Sequence, residues 1–144
     1  MSLLRIEATP PQNGVQRIAV EGSLDTRSHA DLDRVVDPLL EDEEVRSVVL
    51  DLGNLNYINT AGIRSLFRMR RALAAHRRRV LLVNPQPQVQ KVLDVVKSVP
   101  LSEVFTSVAE ADAYFDAMQR KVVATQVQEP HQDSFNAGSS YANA

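Results

Sequence analysis

Apolar and polar residues along this chain change period several times, and each change marks an element. Leu4, Ile6 and Ala8 alternate with Arg5 and Glu7, and Ile18 and Val20 alternate with Arg17 and Glu21, so two half-buried strands open the chain. Pro10, Pro11 and Asn13-Gly14 lie between them. Asn-Gly favours positive φ, which predicts a hairpin, and the prolines make its turn longer than two residues. A break at Gly22-Ser23-Leu24-Asp25-Thr26 precedes Leu32, Val35, Val36, Leu39 and Leu40, a narrow apolar stripe at helical spacing. Glu41-Asp42-Glu43-Glu44 then put acids where a helix dipole disfavours them, and the helix is expected to fray or stop there.

Val48-Val49-Leu50 is a short apolar run that suits a strand covered on both faces, with Gly53-Asn54 marking its break. From Ala61 the apolar residues fall at Ile63, Leu66, Phe67 and Leu73, so a helix runs to about Ala75. Val80-Leu81-Leu82-Val83 reads as another buried strand, and Val89, Val92, Leu93 and Val96 outline a third helix with Pro87 near its first turn. Val104-Phe105 suits a short last strand. Ser107-Val108-Ala109-Glu110 is a capping-box pattern opening a fourth helix, whose inward face is Val108, Ala111, Phe115 and Met118. Beyond about Thr125 periodicity is lost. Residues 1–122 read as one domain and 123–144 as a polar, disordered tail. The element order predicts an α/β fold: a mixed β-sheet of about five strands carrying about four α-helices through right-handed crossovers. The loop Asn59 to Gly62 then stands at the carboxyl end of a strand, where such sheets usually meet ligands and partners.

Composition narrows the chemistry. With 44% apolar residues the 144-residue chain can bury a core, and the absence of Cys removes disulfides, a catalytic thiol and thiolate metal sites. His29, His76 and His131 are scattered singly, without metal-ligand spacing. No apolar run approaches the roughly 20 residues that span a bilayer, and the first residues do not form a signal peptide, so a cytoplasmic protein without membrane insertion is expected. The net charge of −2 conceals a segregation. Acids crowd Asp31 to Glu44, while Arg64, Arg68, Arg70, Arg71, Arg77, Arg78 and Arg79 lie in and just after the central helix. They read as two solvated helix faces or as a surface that steers a charged partner. Direct nucleic-acid binding is not expected, because the chain is acidic overall, poor in aromatics and without a reading motif.

An enzyme is not expected either. There is no Gly-x-Gly-x-x-Gly, no phosphate loop, and no His, Asp or Glu near Thr60 in sequence to act as its base. No cofactor is implied. Asn59 or Thr60 can cap the central helix, which places the Thr60 hydroxyl beside backbone N–H groups that favour negative charge. Thr60 therefore has three readings: a plain cap, a phosphoacceptor exposed by the turn, and an unmodified docking point with Gly62 permitting close approach.

Gly22-Ser23-Leu24-Asp25, Val48-Val49-Leu50-Asp51-Leu52 and Tyr57-Ile58-Asn59-Thr60-Ala61-Gly62-Ile63, taken with the element order, resemble the STAS family over roughly residues 3 to 120. The family is named for sulfate transporters and anti-sigma-factor antagonists. In the bacterial antagonists, a Ser or Thr in an Asp-Ser-Ser/Thr-Gly loop is phosphorylated by an anti-sigma factor that is itself a serine-threonine kinase. The unphosphorylated antagonist binds that kinase and frees the sigma factor, and a PP2C-type phosphatase resets the switch. The resemblance puts Asn59 at the Asp position, Thr60 at the phosphoacceptor, Ala61 at the second hydroxyl and Gly62 at the Gly. With no hydroxyl on Ala61, Thr60 stands alone as acceptor. The resemblance implies a contact surface made of Leu24, Asp25, Asn59, Thr60, Ala61, Gly62, Arg64 and Ser65. A Thr-Ala-Gly loop is also similar to small STAS subunits that dock, without phosphorylation, on the ATPase of phospholipid-transport ABC systems.

Overall fold

Asn13 and Gly14 take positive φ, 53° and 81°. Gln12 and Val15 exchange backbone hydrogen bonds of 2.9 Å across them. The turn is therefore a two-residue one of the primed type, whose twist matches the strands it joins. The prolines lie outside it, in the stretch that leads from β1 (Leu4–Ala8) to the turn. In this computed structural model, which describes residues 4–128, β1 pairs antiparallel with β2 (Val15–Leu24). The second strand runs through Gly22-Ser23-Leu24, where the sequence suggests a break, and Gly22 takes a φ of 108° within it.

The sheet order is β1-β2-β3-β4, with β3 (Ser47–Ile58) parallel to both β2 and β4 (Arg79–Val83). Gly53-Asn54 does not end β3. Asp51 Oδ1 accepts the Gly53 N–H at 2.9 Å, and the register against β2 shifts there and again near Tyr57. Such bulges let one strand bend while keeping its pairing, so β3 reaches Ile58 and delivers the loop that follows it. The expected last strand at Val104-Phe105 is a helical turn, α4 (Leu101–Val104), leaving four strands among the described residues. Among the described residues no strand lies beyond β4, which is an edge of the sheet. That is why Leu81, read as buried from its apolar surroundings, is 47% exposed and Leu82 is exposed beside it.

Helix α1 (His29–Val36) ends sooner than its stripe, passing into a 3-10 turn at Asp37–Glu41. Pro38 lacks the N–H that would continue the α-helix, so proline acts before the acids do. Arg78 closes this end: its guanidinium donates to the carbonyls of Leu39 (3.2 Å), Leu40 and Asp42 (2.9 Å). One arginine of the basic cluster is thus a structural tie. Helices α2 (Thr60–Ala75), α3 (Pro87–Ser98) and α5 (Val108–Gln128) complete the fold. The Ser107 half of the capping box at α5 forms, with Ser107 Oγ accepting Glu110 N–H at 3.0 Å, while the Glu110 carboxylate reaches one residue further back, to Thr106 N–H at 3.0 Å. Val108, placed inward by its spacing, is exposed at this helix start. The helix continues across position 123 to Gln128, and the remainder of the tail lies outside the described residues.

One core joins these elements: Ile18, Val20 and Leu24 of β2, Leu50, Leu52, Leu55 and Ile58 of β3, Ile63 and Leu73 of α2, Val92 of α3 and Phe115 of α5. At the α1–α2 seam one acid of the first charged group meets one base of the second. Asp33 accepts Ser65 Oγ at 2.6 Å and an Arg68 guanidinium nitrogen at 2.6 Å, with His29 Nδ1 at 3.5 Å. Burial works to raise the Asp33 pKa, but hydrogen bonds from Arg68 and Ser65 and the Arg68 charge together hold it below its ordinary value. A carboxylate with a depressed folded pKa stabilises above its unfolded pKa, about 3.9, and loses that contribution as pH falls through the folded value. The native chain is therefore expected to lose stability on acidification below about pH 4 more steeply than Asp33→Asn, compared by urea denaturation at stepped pH. Parallel pH profiles would refute it.

Candidate functional site

The bulged end of β3 feeds directly into α2, and the turn between them is built by Asn59. Its backbone is extended (φ −119°), and its side-chain oxygen accepts the Gly62 N–H at 3.2 Å. That is a helix N-cap, stabilising by roughly 1 kcal/mol. The Asn59 amide also donates to Thr26 Oγ1 at 3.2 Å, and its backbone N–H donates to Leu24 O at 3.2 Å. The start of α2 is so close to the end of β2 that a Cβ on Gly62 would lie 2.3 Å from Leu24 O. The close approach that Gly62 permits is internal, made by the chain's own strand.

Thr60 is the first residue of α2 and is only 3% exposed, which corrects the expectation that the turn presents it to solvent. Its backbone N–H donates to Asp112 Oδ1 at 2.8 Å, and its hydroxyl donates to the same oxygen. Asp112 thus places a carboxylate at the amino end of α2, where the helix dipole and free N–H groups favour an anion. Two more side chains of α5 hold the same loop. Gln119, buried, donates its amide to Ile58 O at 2.8 Å and accepts Ile58 N–H at 3.1 Å, replacing the strand partner that the end of β3 lacks on its β4 side. Asp116 accepts the Tyr57 hydroxyl. Burial, and then Asp116, push the Tyr57 phenol far above its ordinary range. Beside these contacts an open cleft of about 450 Å³ lies between Asn56-Tyr57 and the α5 residues Asp116, Gln119, Arg120, Val123 and Ala124.

The residues expected to form a contact surface converge in space but differ in role. Leu24 is fully buried in the core. Asp25, half-buried, accepts the N–H groups of Arg27 (3.0 Å) and Ser28 (3.2 Å) and so shapes the turn before α1. Asn59, Thr60, Gly62 and Ser65 are buried, Ser65 on Asp33. Ala61 is partly accessible and Arg64 is exposed. The outward face is thus narrower than the sequence reading has it.

Sequence reasoning missed Asp112, Asp116 and Gln119. The signal was a second stripe at positions 112, 116 and 119, one residue on from the apolar stripe of Ala111, Phe115 and Met118. A polar stripe of that kind is ordinarily a solvated helix face; only the packing of α5 turns it inward. Asp112 is also the carboxylate that the neighbourhood of Thr60 in sequence lacks.

The STAS domain family model matches residues 8–111, most of the described chain, and the protein belongs to this family. Among solved structures, the anti-sigma factor antagonist SpoIIAA in its unphosphorylated form aligns with a TM-score of 0.54 at 19% identity, over 62% of this chain and 82% of that one. The Bacillus cell-fate determinant SpoIIAA in its phosphorylated form gives 0.55 at 19% identity, over 63% of this chain and 82% of that one. A murine anion transporter, solute carrier 26 family member A9 in the inward-facing state, gives 0.55 at 17% identity, over 75% of this chain and 18% of that one. At such identities the likeness defines the fold. Comparison with curated proteins returns no match. Among the described residues, no helix is long and apolar enough to cross a membrane.

Proposed function

We propose that this STAS protein is an anti-sigma-factor antagonist or a close relative, which binds an anti-sigma factor that is also a serine-threonine kinase and is controlled at Thr60. The observation that carries this reading is the position of Thr60: a hydroxyl on the first residue of α2, at the carboxyl end of a parallel strand, on a STAS framework. The kinase would move the γ-phosphoryl group of ATP to Thr60 Oγ1, with ADP leaving and the hydroxyl proton passing to a base of the kinase. The product carries close to two negative charges at neutral pH. The dipole of α2 favours negative charge at this end, and repulsion and desolvation also fall on the partner that had packed against Ala61 and Arg64. A PP2C-type phosphatase would reverse the step.

One observation favours a second reading. Asp112 already takes both the hydroxyl and the N–H of Thr60, as suits a subunit that docks on a transporter ATPase with Thr60 unmodified. Incubation with ATP and the cognate kinase separates the two. Intact-mass analysis and peptide mapping are expected to find one phosphate, on Thr60, and none in Thr60→Ala. An unmodified chain that instead forms a stable complex with a phospholipid-transport ATPase would replace the first reading by the second.

A further inference from the structure

Asp112, Asp116 and Gln119 stand at i, i+4 and i+7 of α5, so they share one face of that helix. Each of the three bonds a different residue where β3 passes through its loop into α2: Thr60, Tyr57 and Ile58. The neighbouring face is anchored separately. Ala111 and Phe115 are buried in the core, and the Phe115 ring meets Phe105 edge-on with centroids 5.7 Å apart. Helix α5 therefore combines an apolar anchor with a polar hold on the site.

We propose that α5 is a clasp on the β3–α2 loop, and that negative charge at position 60 opens it at Asp112. The proposal deepens the phosphorylation reading, which supplies its natural trigger. The hold at Asp112 needs two hydrogens on one oxygen, one from the Thr60 hydroxyl and one from the Thr60 N–H. A phosphoryl group on Oγ1 removes the first and competes for the second. It also sets a dianion against a carboxylate with little water between them, because Thr60 is buried. Both anions seek the amino end of α2, and the covalently attached one stays. The first turns of α5, from Val108 to Asp112, then lift about the Phe115 anchor, drawing Ala111 from the core. Closed, the clasp hides the acceptor; open, it bares the start of α2. One helix thus couples access to Thr60 with its charge.

Hydrogen exchange read by mass spectrometry on the full chain tests this without a kinase, so a failure of the phosphorylation reading and a failure of the clasp are separate results. Thr60→Glu is expected to speed exchange over residues 108–116 by about tenfold or more, leaving the β1–β2 hairpin as in the native chain. Adding Asp112→Asn to Thr60→Glu removes the repulsion and restores a donor, and is expected to return most of the protection. The double variant also decides the case in which Thr60→Glu loosens the whole chain, since recovery shows that the like-charge pair was the cause. Native exchange in Thr60→Glu, or a double variant that exchanges as fast as the single one, would overturn the proposal.

Discussion

Replacement of Gly62 by alanine is expected to destabilise the protein by on the order of 3 kcal/mol, the upper end of what overpacking usually costs. The added Cβ would meet Leu24 O at 2.3 Å, and Ile58 Cγ1 and Leu24 Cγ at 2.9 Å each. None of these can swing aside. Leu24 O is backbone and accepts the Asn59 N–H, while Ile58 and Leu24 are fully buried. Relief requires α2 to move away from β2, which breaks the bond from Asn59 N–H to Leu24 O. For a domain of this size the melting temperature should fall by about 10 °C, read by scanning calorimetry. A shift of a degree or two would mean that the helix start is more pliant than its packing implies. The same variant tests the reading of Gly62 as a docking point, because its cost falls on the free protein with no partner present.

Phe115→Ala should be at least as severe, about 3–5 kcal/mol by the usual cost of truncating a buried aromatic. Phe115 is fully buried, in ring contact with Phe105 and with Tyr114. Without it α5 keeps its polar contacts to the loop but loses the apolar anchor beneath them. Urea denaturation should show a lower midpoint, and limited proteolysis should cut within 108–128 before the rest of the chain. Cleavage spread evenly over the domain would argue that α5 and the sheet open together.

What could be read from the sequence was what repeats locally. Alternation in β1 and β2, the stripes of α2 and α3, the Asn13-Gly14 turn and the Ser107 cap each depend on neighbours a few residues away, and each is present, although the turn is tighter than the prolines suggest. The misreadings are of long-range origin. Gly53-Asn54 looks like a break, but pairing with β2 absorbs it as a bulge. Leu81 looks buried, but whether a strand is an edge depends on whether another strand lies beside it. Val104-Phe105 could not show that it would coil instead of supplying that strand. At the site, Asn59, Thr60 and Gly62 were legible as a cap and a tight turn. Their burial was not, because what packs against them comes from far along the chain: Leu24 and Thr26 against Asn59 and Gly62, and Asp112 of α5 against Thr60.

That separation gives the site a place in the order of synthesis. A chain growing from its amino end can pair its strands and seat α2 before α5 exists. Until Gln119 arrives, 61 residues after Ile58, the end of β3 offers its N–H and carbonyl to water, and Thr60 keeps a free hydroxyl until Asp112 follows 52 residues behind it. The surface on which regulation would act is therefore open in the nascent chain and closed in the finished one. Burial of Thr60 is thus a late step of folding, completed only when α5 docks.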